Sequence, residues 1–202
     1  MESEKVTLQQ EIENSFEMEI IGAYTLNFLI YIQNVYLNQN ENEFKFPYLA
    51  KKLLFKDNFE ENFKKLWDEA TQTIFNEGER ADNKYFFDDR EVFYERLFEK
   101  KLENLMIFHE VHTTFQTWWD SLVGKFTLER SVDAQIQKVY VDLIDHFFKK
   151  GEVPQQRLRL HLIFDDYEFG DTASFSYFVV SPLQEFSIRC DELAIRIKES
   201  ID

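Results

Sequence analysis

From Ile20 to Leu37 the chain reads IIGAYTLNFLIYIQNVYL, eighteen residues with no charged side chain among them. A helix of that kind has to be hidden from water, either in lipid or against its neighbours. A membrane-spanning helix needs about 20 predominantly apolar residues, with Lys or Arg near its cytoplasmic end. This stretch instead carries Asn27, Gln33 and Asn34 within it and acidic residues on both flanks. A buried central helix fits both observations, and no membrane association is expected. Upstream, Leu8, Ile12, Phe16, Ile20, Ala23 and Tyr24 keep a helical spacing, so one helix is expected from about Val6 to Leu37.

Such a helix needs covering faces from the rest of the chain. Pro47 suits the first turn of a short helix over residues 47–56, where its missing N–H costs nothing. Phe59, Phe63, Leu66, Ala70 and Ile74 mark a helix ending near Gly78. Tyr94, Phe98, Leu102, Leu105, His109, His112 and Trp119 mark a longer one from about Asp89 to Leu122. Val132, Ile136, Val139, Tyr140, Leu143 and Phe147 mark another, which stops at Gly151. At Arg157 the period becomes two. Leu158, Leu160, Leu162 and Phe164 alternate with their neighbours, as do Phe175, Tyr177 and Val179 after the turn-rich DDYEFGDT. These read as a β-hairpin over about residues 157–180, followed by a helix opened by Ser181-Pro182 and carrying Phe186, Cys190, Leu193 and Ile197.

The expected fold class is therefore α+β, mainly α: a bundle of five or six helices, a C-terminal hairpin and a closing helix. One domain is expected over residues 1–202, with the bundle in 1–153 and the hairpin and last helix in 154–202. Two strands alone leave unpaired edges, so the hairpin requires either an intramolecular cover or a homodimer.

Charge narrows the partners. With 23 basic and 38 acidic residues the net charge is −15, which repels phosphate backbones and anionic lipid. The basic pairs, such as Lys51-Lys52 and Lys149-Lys150, are scattered, so no direct nucleic-acid binding is expected. A protein partner with a basic face is the electrostatic complement. The single cysteine, Cys190, allows no internal disulfide, and Met1-Glu2-Ser3-Glu4 lacks a signal-peptide profile, so a cytoplasmic location is expected.

The one stretch resembling a catalytic motif is IFHEVHTTFQTWW, residues 107–119. The zinc-protease motif sets its histidines four apart, whereas His109 and His112 are three apart. They still share a helix face, about 60° apart around the axis. With Asp142 and His146, which are i,i+4 neighbours, they form a chemically sensible zinc or iron set, and this is the alternative reading: a helical metal-dependent enzyme or sensor. The leading reading is that the histidines pack in the core and that no cofactor is held. No phosphate-binding glycine loop or nucleophile elbow is present in the sequence.

Aromatic rings in acidic settings recur. Phe44 and Phe46 lie in NEFKFPY, Tyr85, Phe86 and Phe87 precede Asp88 and Asp89, and Tyr167 and Phe169 lie among Asp165, Asp166 and Asp171. Rings supply buried area at interfaces while flanking charges select the partner. The expected function is non-catalytic: an acidic protein that binds a protein partner and inhibits or regulates it, through Tyr85–Asp89 and the Asp165–Asp171 segment. Immunity proteins, antitoxins and anti-defence inhibitors offer an analogy of composition.

Overall fold

The charge-free stretch is not one helix; it divides at Gly22 and Ala23. The computed structural model describes residues 2–201 and, for residues 2–5, the backbone only. In chain order its elements are α1 (Glu2–Ser15), β1 (Met18–Ile21), α2 (Tyr24–Asn40), α3 (Phe59–Glu77), α4 (Glu79–Asn83), α5 (Glu91–Leu97) and α6 (Leu102–Trp119). They continue with α7 (Thr127–Arg130), α8 (Asp133–Lys150), β2 (Leu158–Ile163), β3 (Ser174–Phe175), β4 (Phe178–Pro182), α9 (Leu183–Ile188) and α10 (Cys190–Ile201). The fold is mainly helical with a small mixed sheet, α+β as expected. No helix among the described residues is long and apolar enough to cross a membrane.

Contacts divide the chain into two compact units. One comprises the segment ending at Gly22, Thr127–Asp166 and the segment from Thr172 onward. The other comprises Ala23–Phe126 and Tyr167–Asp171. The contacts do not divide at residue 153, because the strand that pairs with β2 comes from the beginning of the chain.

In the Ala23–Phe126 unit, α2 is the core helix that the absence of charge requires. Every residue from Thr25 to Val35 is buried, including Thr25, Asn27, Gln33 and Asn34. Phe28 lies at the centre of a ring cluster formed by Phe86, Phe93, Phe108, His112 and Phe115, all within 6.2 Å of it centroid to centroid. The N-terminus of α2 is capped from another element. Asp82 of α4 accepts the Tyr24 N–H at 2.8 Å and the Thr25 N–H at 2.7 Å, while the Thr25 hydroxyl donates to the Asp82 carbonyl at 3.0 Å. Two donors that a helix end leaves over are thereby satisfied, and a carboxylate sits at the positive end of the dipole. Burial pushes the Asp82 carboxyl above its ordinary value, and the two backbone donors oppose that shift.

Two helices of this unit depart from the sequence reading. The segment after Pro47 is irregular, not helical, and Phe55 bridges Phe98 as an isolated pair. That bridge needs extended backbone at Phe98, so the expected helix over Asp89–Leu122 is split into α5 and α6. The buried face of α6 is accordingly Phe108, Val111, His112, Phe115 and Trp119, and Leu102 is left 77% exposed. The stripe of α3 is buried as read, from Phe59 through Phe63, Leu66 and Ala70 to Ile74.

In the other unit the sheet order is β1-β2-β4-β3. β1 and β4 both run parallel to β2, with Ile20 opposite Leu160 and Leu160 opposite Val179. The expected hairpin is therefore a parallel pair. Fourteen residues separate Ile163 from Phe178, long enough for the crossover that parallel strands need. The tight reversal lies inside the second segment, at Ser176-Tyr177, where Phe175 pairs antiparallel with Phe178. β1 covers the outer edge of β2, so that edge is paired within the chain. α8 ends as expected at Gly151, whose φ of 72° lets Glu152 N–H reach back to the Phe147 carbonyl at 3.1 Å.

Both residues of the Ser176-Tyr177 turn have positive φ, 32° and 61°, without glycine or asparagine. A side chain there costs on the order of 1–2 kcal/mol. Ser176→Asn is expected to raise the midpoint of denaturant unfolding, by about 0.5 kcal/mol of stability. Asp82→Ala, which strips the cap from α2 and strands two buried N–H groups, is expected to lower stability by about 2–4 kcal/mol in the same measurement.

Candidate functional site

The rings nominated as partner anchors do not all face outward. Phe86 and Phe87 lie on a wide π-helical turn, Lys84–Asp88, that points successive side chains in different directions. Phe86 is fully buried, its ring stacked on His112 at 4.3 Å. Phe87 is 41% exposed and meets Tyr24 edge-on at 5.2 Å. Tyr85 is half-buried, Asp88 exposed, and Asp89 half-buried with Lys84 at 3.6 Å. Tyr167 is buried too, stacked on Trp67 at 4.4 Å, and Phe169 is half-buried among Tyr36, Phe59 and Phe63. Asp165 and Asp166 are half-buried and Asp171 is exposed. Phe86 and Tyr167 are thus core residues, which removes them from any interface the free surface forms.

The histidines follow the same logic. His112 is buried, and its Nε2 lies 2.9 Å from the Phe86 carbonyl, to which a ring N–H donates. Burial pushes its pKa below the ordinary histidine range, so the ring stays neutral. His109 lies on the exposed side of α6, 3.0 Å from a Glu91 carboxylate oxygen. Asp142 and His146 stand half-buried on α8. Among the described residues no group of three or more His, Cys, Asp or Glu is arranged to hold a metal ion. The polar group around Tyr24 is also committed to structure. Asp82 caps α2, and the Tyr24 hydroxyl donates to Asp120 at 2.5 Å, its pKa raised mainly by burial.

An exposed aromatic surface does exist, on residues 41–48. Phe44 is 93% exposed and Tyr48 77%, while Phe46 between them packs on Trp118 at 4.9 Å and Tyr31 at 5.8 Å. Phe46 is itself 50% exposed, so its ring is covered on one side only. Amides of α2 bind the backbone around it. Asn38 donates to the carbonyls of Lys45 at 2.7 Å and Pro47 at 2.9 Å and accepts the Lys45 N–H at 2.8 Å. Asn34 donates to the Phe46 carbonyl at 2.8 Å. Beside the loop lies a recess of about 370 Å³ whose walls include Glu41, Glu43, Glu60 and Glu168, with Lys45 bound to Glu168 at 2.8 Å.

The sequence pointed to Phe44 and Phe46. Tyr48 and the glutamates were not singled out, since Glu60 and Glu168 come from distant parts of the chain and only the fold brings them to one recess. No protein-family model, curated protein or solved structure matches this chain.

Because Phe86 packs in the core, Phe86→Ala is expected to cost about 3–5 kcal/mol of folding stability. Phe44→Ala is expected to change stability by less than about 0.5 kcal/mol. Parallel denaturation curves for the two variants check both values.

Proposed function

We propose that this is a non-catalytic protein that binds a protein partner and inhibits or regulates it, through the acidic aromatic face of residues 41–48. The observation that carries this reading is a large ring, Phe44, left 93% in water beside a backbone segment, Lys45–Pro47, that Asn34 and Asn38 bind by hydrogen bonds. Burying such a ring releases about 1.5–3 kcal/mol. Glu41 and Glu43 on the loop, with Glu60 and Glu168 in the recess, complement Arg or Lys on the partner. The net charge of −15 draws a basic partner in over a distance set by ionic strength.

Capture from native lysate, with wild type and a Phe44→Ala, Tyr48→Ala variant side by side, tests the reading. A specific partner should be retained by wild type and should leave the variant at least about thirtyfold faster, the loss of an anchor worth about 2 kcal/mol. Replacing Glu41 and Glu43 with Gln should slow association and flatten its salt dependence, with dissociation changed less. A partner bound equally well by all three proteins would place the interface elsewhere. Turnover of a small molecule by the isolated protein would reject the non-catalytic reading.

A further inference from the structure

His161 sits in the middle of β2, flanked in register by Ile21 of β1 and Val180 of β4. It is 3% exposed, and neither ring nitrogen has a hydrogen-bond partner. Its ring lies 4.5 Å from that of Phe178, which also stacks on Phe175 at 5.2 Å. A buried imidazole without a partner is tolerable only while neutral, because a charge there is desolvated with nothing to offset it.

The charged groups on the surrounding elements offer no compensation. On β2 itself, Arg159 carries its guanidinium over the Phe178 ring at 5.6 Å and adds a like charge. On β1, Glu19 is 3.5 Å from Arg157. β3 and β4 carry no titratable side chain. α9 and α10 pack on β4. The Glu185 carboxylate of α9 is held by Ser181 at 2.6 Å and by Arg196 of α10 at 2.5 Å, and Arg196 also donates to the Val180 carbonyl at 3.4 Å. Asp191 of α10 is bound to Lys138 at 2.7 Å. Burial and then Arg159 hold the His161 pKa down to about 3.

We propose that His161 is an acid-sensitive lock on the four-stranded sheet: neutral and buried when the sheet is closed, it takes up a proton only when β2 and β4 separate, so mild acid makes opening more frequent. The sign follows from linkage. The folded ring protonates far below the open ring, whose value is about 6.5, so the open state binds more protons as pH falls. The stability that a neutral His161 permits is fully present above about pH 6.5 and is lost progressively below it.

Amide hydrogen exchange on the full chain tests this at the β2 and β4 backbone. Corrected for intrinsic rates, protection at His161 and Val179, whose N–H groups face across the β2–β4 pair, should fall about tenfold between about pH 7.5 and about pH 5.5. In His161→Leu the fall should disappear or shrink severalfold. An equal fall in both proteins, or none in wild type, overturns the proposal. The wild-type ring itself gives a readout that does not depend on the variant folding. Its NMR shifts should stay those of neutral imidazole down to about pH 5, whereas titration near 6.5 in the folded protein overturns the proposal.

Discussion

A helix that is buried all round cannot hand its neighbours a solvated edge, and that constraint runs through the whole Ala23–Phe126 unit. Irregular segments packed against α2 have backbone groups that water does not reach, so those groups need partners on the helix itself. The polar residues inside the uncharged stretch supply them. Asn34 and Asn38 bind the backbone of residues 45–47, Gln39 binds Lys51 and Leu53, and Gln33 accepts the Glu168 N–H at 2.9 Å. Two of the side chains that argue against a membrane span, Gln33 and Asn34, are among those that hold these segments on the helix. Asp82 does the same for the helix end.

Legibility followed the locality of the determinant. The helices α3 and α8 each carry an uninterrupted stripe at helical spacing, and both appear where that spacing puts them. The four-residue strand β1 was invisible, because Ile20 fits a helical period and the residues that make it a strand are those of β2, far along the chain. Parallel pairing is non-local by nature. The reversal at Ser176-Tyr177 carried no glycine or asparagine, so an unbroken alternation through Phe175, Tyr177 and Val179 read as one strand. On α6, counting His109 and Leu102 as apolar rotated the expected stripe. The Phe55–Phe98 bridge, which ends α5 early, had no signature of its own.

The candidate surface was half legible for a related reason. Acidic neighbours say that a segment reaches water; they do not say where its rings point. On the wide turn Phe86 goes inward and Asp88 outward, so a run of rings and acids divides between core and solvent. On the irregular segment 41–48, Phe44 and Tyr48 stand in water while Phe46, itself 50% exposed, rests against Tyr31 and Trp118. The same composition yields a core cluster in one place and a presented ring in another, and backbone conformation decides which. This also explains the abundance of phenylalanine: rings around Phe28, Tyr36 and Trp67 fill space that aliphatic side chains of this chain do not.

A natural sequence is expected to agree with its fold at most positions, and departures concentrate where something other than stability is selected. Two departures stand out. One is a phenylalanine, Phe44, left 93% in water, and the other is a histidine, His161, buried without a hydrogen-bond partner. Neither helps the closed, isolated chain: the first forgoes about 1.5–3 kcal/mol of burial, and the second leaves two polar atoms desolvated. They differ in what would relieve them. Phe44 gains when another surface covers it, so its cost favours association. His161 gains when the sheet opens and water or a proton reaches the ring, so its cost favours opening. These two features answer to different variables, partner concentration for the loop and acidity for the sheet.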